Sequence, residues 1–187
     1  MKTLYIMCGV AGSGKSTWVK NNFMKIAGHT AIVSRDKIRF DLVNENEEYF
    51  SKEKEVFAQY INLIKDGLEN ADTVICDATH LNVGSRSKLL RNLGASLKGW
   101  KINAIVVRVP LEVALDQNEQ RIGTRAYVPP AAVRNMFNSF VMPSFEEGFD
   151  KIYVYRPHEY GTKYTIFERE NKNEPDICNL GLAFLPR

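Results

Sequence analysis

Residues Gly9 to Ser16 read Gly-Val-Ala-Gly-Ser-Gly-Lys-Ser, a match to the pattern G-x-x-x-x-G-K-[ST]. The apolar run Leu4–Cys8 precedes this stretch and the helix-compatible run Ser16–Phe23 follows it. A loop between a strand and a helix is the setting in which glycines turn successive backbone N–H groups toward one anion, while the helix N-terminus adds partial positive charge. A tight turn alone would explain the glycines but not the adjacent lysine and serine. Gly9, Gly12, Ser13, Gly14, Lys15, Ser16 and Thr17 are therefore the expected nucleotide-binding residues. Lys15 is expected on the β- and γ-phosphates of ATP and the Ser16 hydroxyl on Mg²⁺.

Outward from the loop, five short apolar runs read as strands: Leu4–Cys8, Ala31–Ser34, Thr73–Cys76, Ile102–Val109 and Ile152–Tyr155. Several are continuously apolar rather than alternating, as in a parallel sheet covered on both faces. Helical stretches lie between them: Ser16–Phe23, Lys37–Leu42, Lys52–Leu68 with Phe57, Tyr60, Ile61 and Ile64 at helical spacing, and Gly84–Leu97. The alternation predicts an α/β fold with a parallel five-stranded sheet flanked by helices. Beyond Leu111 the texture changes. Leu111–Arg121 reads as a helix, RIGTRAYVPP as a turn-rich connection, and Pro129 and Pro130 open a helix over Ala131–Phe140. The segment from about 111 to 141 is thus an expected helical lid on a single domain spanning 1–187, whose extension over 157–187 holds one further strand at Tyr164–Glu168.

Ligands of open α/β sheets bind beyond the carboxyl ends of the strands, so the residues after each strand carry the most information. SRDKIR follows the second and places Asp36 and Arg39 on one face of a helix; CDATHLN follows the third and puts Asp77 at the strand end. The lid contributes Arg121 and Arg125, about one turn apart. Asp77 suits a metal held through water, and mobile arginines suit transition-state charge. Each has a plainer reading: Asp36 as a helix N-cap, Asp77 as a turn cap, the two arginines as a solvated face. His80 is expected to be a local packing or turn contact, and Cys8 and Cys76 core fillers. Trp18, Tyr49, Phe50, Phe57 and Tyr60 are either helix core or base-stacking platforms.

Composition sets the outer bounds. Hydrophobic residues at 44% and charged residues at 25% match globular averages, which excludes disordered, collagenous and coiled-coil classes. A net charge of +3 leaves the acceptor open, since a local basic channel can sit inside a near-neutral total. Three cysteines, Cys8, Cys76 and Cys178, form no CxxC pair and no disulfide framework. The N-terminal apolar run ends at glycines without a cleavage pattern, and no run reaches the roughly 18–20 residues that span a bilayer, so a cytoplasmic chain with no membrane partner is expected.

GVAGSGKSTW, SRDKIR, CDATHLN, and NEQRIGTR with VPPAAVRNMF, in that order, resemble the polynucleotide 5′-hydroxyl kinase domain of the P-loop phosphotransferases. The resemblance runs from about Met1 to Arg156. It implies ATP·Mg²⁺ as donor and a 5′-OH end of DNA or RNA as acceptor, with no obligate protein partner. It further implies Lys15, Asp36, Arg39 and Arg121 as catalytic, with Asp36 as general base, Arg39 on an acceptor phosphate, and Arg121 with Arg125 on the donor. Arg35, Asp36, Arg39, Asp77 and Arg86 form the expected acceptor side, with acceptor affinity falling steeply in salt, and Ser16 and Asp77 the expected metal shell. Gln117 stands where some relatives carry another lid arginine, and no D-x-D-x-T phosphatase stretch occurs in the sequence. Relatives with these motifs also phosphorylate small molecules, so a small-metabolite kinase, or an ATPase without an acceptor, is the alternative expectation.

Overall fold

The structure is a computed structural model that describes residues 2–23, 28–157 and 163–168. Most of the extension after Pro157, with Cys178, lies outside the described residues. The chain order is β1 (Thr3–Cys8), α1 (Lys15–Phe23), β2 (Thr30–Ser34), α2 (Arg35–Leu42), α3 (Glu53–Asn70), β3 (Thr73–Asp77), α4 (Val83–Leu93), β4 (Lys101–Val107), α5 (Leu111–Glu119), α6 (Pro130–Asn138), β5 (Lys151–Arg156) and β6 (Lys163–Glu168).

The sheet order is β2-β3-β1-β4-β5-β6. The five expected strands pair in parallel, and β6 adds a sixth, antiparallel to β5 with Ile152 opposite Phe167. Period-two alternation splits the strand residues between two cores. Leu4, Ile6, Cys8, Val74, Cys76, Ala104 and Val106 face a thick layer of α3 and α4, including Tyr60, Ile64, Leu68 and Leu89. Met7, Ile75, Ile105 and Val107 face Trp18 and Val19 of α1 on the other side. α3 buries Val56, Tyr60, Ile61, Ile64 and Leu68, one stripe of a 3.6-residue period.

α4 starts at a reciprocal cap: the Ser85 amide donates to Asn82 Oδ1 at 3.0 Å and the Asn82 amide to Ser85 Oγ at 3.2 Å. It stops earlier than expected, at Gly94, and residues 94–97 continue as a 3₁₀ turn. α5 and α6, the helices of the expected lid, pack on the loop after β1 through Val10, Ala11, Val109, Ala114 and Val133. All five parallel strands point their carboxyl ends at this one rim. Among the described residues no helix is long and apolar enough to cross a membrane.

Candidate active site

The loop after β1 is held from both sides. A Cβ on Gly9 would lie 2.6 Å from the Val107 carbonyl oxygen of β4, and one on Gly12, at φ +77°, would lie 2.1 Å from the Ala114 carbonyl oxygen of α5. Gly9 gives its amide to the Thr79 carbonyl at 2.9 Å, so it shapes the strand exit and does not face a phosphate as expected. The buried Ser13 likewise turns its amide inward, to the Val10 carbonyl at 3.2 Å.

Lys15 folds back over the loop, donating to the Val10 carbonyl at 2.7 Å and lying 3.5 Å from Ser13 Oγ. Desolvation pulls its ammonium down to about 8, against the opposing pull of Asp77 and Asp36 and with a smaller push from Arg121. Ser16 Oγ donates to Asp77 Oδ2 at 3.0 Å, which joins the start of α1 to the end of β3. Burial raises the Asp77 carboxyl above the usual range, and Lys15 and Ser16 oppose that shift.

The residues expected on the acceptor side lie on α2. Its N-cap is Ser34, without a side-chain cap bond, so Asp36 is not the cap. Arg39 Nη1 donates to Asp36 Oδ1 at 2.6 Å and to Tyr49 Oη at 3.1 Å, and Arg39 Nε donates to Glu53 Oε1 at 2.8 Å. Arg35 Nη2 donates to Glu53 Oε2 at 2.6 Å. Two arginines and two carboxylates thus form one electrically neutral cluster. Asp36 is the exposed member, with 67% of its side chain open, whereas Arg39 is at 6%. The Arg39 guanidinium lies 4.7 Å from the Tyr49 ring centre and 5.5 Å from that of Phe50. Arg39 is therefore first a support for Asp36, with most of its donors already committed.

Glu53 was not anticipated. Two arginines one helical turn apart beside a cleft call for a nearby counter-charge, but nothing in the run Lys52-Glu53-Lys54-Glu55 tells which glutamate supplies it.

Two cavities meet at the loop. One, of about 190 Å³, takes in Lys15, Ser16, Asp36, Arg39, Phe50, Asp77 and Arg121. The other is an open groove along α1 and the lid, bounded by Thr17, Trp18, Asn21, Gln117, Gln120 and Tyr155. Gly14 and Arg121 line both. Arg121 therefore borders both cavities.

Two expected residues belong elsewhere. Arg86 is fully buried: its Nε and Nη2 donate to Glu147 Oε2 and Oε1 at 2.7 and 2.8 Å, and its Nη1 donates to the His80 and Val141 carbonyls. An acceptor cannot reach it, and its charge ties α4 to the segment after α6. Arg125 turns away from the loop and donates to the Phe40 and Val43 carbonyls at the end of α2.

Among the other residues singled out, His80 packs as expected, its Nδ1 2.7 Å from the Met7 carbonyl oxygen and its Nε2 3.4 Å from Tyr60 Oη. Burial lowers its imidazole to about 4, so it is neutral at pH 7. Cys8 and Cys76 are buried free thiols. Trp18 and Tyr60 are core, while Phe50 is 58% exposed at the mouth of the first cavity.

The chain is 29% identical over 155 residues to a protein of Acanthamoeba polyphaga mimivirus described as a bifunctional polynucleotide phosphatase/kinase, a match covering 81% of this chain and 32% of that protein. The chain therefore spans about a third of that relative's length. Its fold is shared with a chain of the Pnkp1/Rnl/Hen1 RNA repair complex at TM-score 0.62 and 22% identity, covering 74% of this chain and 43% of that one. It is shared also with a gluconokinase from Sinorhizobium meliloti at TM-score 0.55 and 16% identity, covering 84% and 83% of the two chains. Residues 4–143, which include the loop, α2 and both lid helices, match a single family, and the chain belongs to that AAA domain family, AAA_33.

Proposed function

We propose that this chain is an ATP-dependent phosphotransferase whose acceptor is the 5′-hydroxyl end of a nucleic acid. The observation that carries this reading is the pair of neighbouring cavities that share Gly14 and Arg121 in their walls. A nucleoside triphosphate in the groove along α1 would present its last phosphate at the junction, and an acceptor in the Asp36 cavity would approach it from the opposite side. That is the in-line arrangement phosphoryl transfer requires.

In this reading Asp36 takes the proton of the acceptor hydroxyl. All its hydrogen bonds among the described residues use Oδ1, which leaves Oδ2 for the substrate. Lys15 leaves the Val10 carbonyl and takes the phosphates, and Arg121 neutralises charge that develops at the junction. Ser16 and Asp77 fit Mg²⁺: a hydroxyl and a carboxylate stand 3.0 Å apart at the loop mouth, oxygen donors of the type a hard cation takes with phosphate and water. Bound there, the ion would neutralise phosphate charge.

The nucleic-acid acceptor is favoured by Phe50. An exposed ring edge-on to Tyr49 at 4.8 Å, in the same cavity as the proposed base, offers a π face on which a nucleobase can stack. Labelled-phosphate transfer from ATP, tested on 5′-OH oligonucleotides beside a panel of sugars and nucleosides, decides the acceptor. Transfer confined to the small molecules would overturn the nucleic-acid reading, and ATP hydrolysis unaffected by any acceptor would overturn both.

A further inference from the structure

We infer that Arg125 is a catch that fastens the lid to the acceptor helix α2 and so positions Arg121, rather than a contact to the donor. The inference rests on the phosphotransfer reading above. The segment between α5 and α6 is a closed loop. At its base the buried Asn118 holds Val128 twice, accepting from its amide at 3.1 Å and donating to its carbonyl at 2.6 Å. Near its tip Thr124 Oγ1 donates to the Arg121 carbonyl at 2.7 Å, and Gly123 at φ +81° makes the reversal.

From that tip Arg125 reaches 85 residues back in sequence, its Nη1 donating to the Phe40 carbonyl at 3.0 Å and its Nη2 to the Val43 carbonyl. Its Cζ lies 4.9 Å from the centre of the Phe40 ring. α2 ends at Leu42, so Phe40 is among the last carbonyls, which lack an intrahelical partner. A cation is also favoured at that helix end.

One helix therefore carries the proposed base in its first turn and the lid's anchorage past its last. The same loop carries Arg121, which lines both cavities, four residues before the anchor. Closing the lid on α2 and placing Arg121 in the cavity that also holds Asp36 become one event. The planar guanidinium spans two carbonyls at once, which an ammonium cannot match.

The test uses the full chain with Arg125→Ala and Arg125→Lys. It reads kcat, the KM for ATP and for acceptor, and backbone hydrogen exchange over residues 40–43 and 119–129. The expected result is faster exchange in both segments and a kcat lower by on the order of 10–100-fold, the scale of a misplaced reacting group. The ATP KM should move by less than about twofold, and lysine should rescue little. A raised ATP KM with unchanged exchange would overturn the inference and return Arg125 to the donor side. Faster exchange with wild-type kcat would show a catch that positions nothing, which also overturns it. If the wild-type chain transfers phosphate to no acceptor, the phosphotransfer reading fails, whereas unchanged exchange in the variants sinks the catch independently.

Discussion

The Lys15 ammonium sits 2.7 Å from the Val10 carbonyl oxygen, so the loop solvates its own lysine. That bond, with the pull of Asp77 and Asp36, does not repay the burial, and the ammonium is held down at about 8. A triphosphate would restore the charged form. Nucleotide binding at pH 8–9 is therefore predicted to take up a proton, read as a dependence of the calorimetric binding enthalpy on the buffer's ionisation enthalpy. Uptake should fade below pH 7, where Lys15 is already charged.

The same group affects stability. A lysine whose folded value lies below its unfolded value of about 10.4 leaves the unfolded chain holding more protons between the two, so its contribution to stability rises with pH through that window. Lys15→Met is expected to abolish transfer yet raise the melting temperature of the nucleotide-free protein at pH 7. That advantage should shrink between pH 8 and about 10.4. Denaturation scans of both proteins at the two pH values provide the check.

Arg86 and Glu147 are predicted to matter for folding and not for the acceptor. Removing one member of a buried bidentate pair strands the other, at about 3–5 kcal/mol. Arg86→Ala should thus lower the midpoint of chemical denaturation markedly, while any folded fraction keeps the wild-type acceptor KM. A variant of wild-type stability with weakened acceptor binding would restore Arg86 to the site.

Phe50 carries the acceptor prediction. Stacking on one base is worth about 1–3 kcal/mol, so Phe50→Ala should raise the KM for a 5′-OH oligonucleotide by about 5- to 150-fold, with the ATP KM unchanged. In Phe50→Trp, oligonucleotide binding should quench indole fluorescence. Because Arg35 and Arg39 are neutralised by Asp36 and Glu53, the acceptor KM should vary with salt less steeply than a free basic patch would require.

The sheet was readable because its signal is local: five apolar runs separated by helical periods, with each strand found within two residues of its expected ends. The loop was readable for the same reason, through contiguous residues. What escaped depends on distant partners. Arg39 and Arg86 look alike in sequence, and only the positions of Glu53 and Glu147 make one a support for Asp36 and the other a core strut. Arg125 looks like Arg121 until the Phe40 carbonyl at the end of α2 is seen to take its hydrogen bond from Arg125 and not from within the helix. Asn118 is one polar residue on an ordinary helix, and its hold on Val128 becomes visible only once the loop has closed.

Asp36→Asn tests the central claim most directly, by single-turnover transfer from ATP to a 5′-OH oligonucleotide beside a direct nucleotide-binding titration. The amide keeps the size of the carboxylate and can still accept from Arg39, so the fold is preserved while the base is lost. The account predicts transfer slower by on the order of 10²–10⁴-fold with ATP affinity essentially unchanged. Transfer at the wild-type rate, or lost ATP binding, would contradict it.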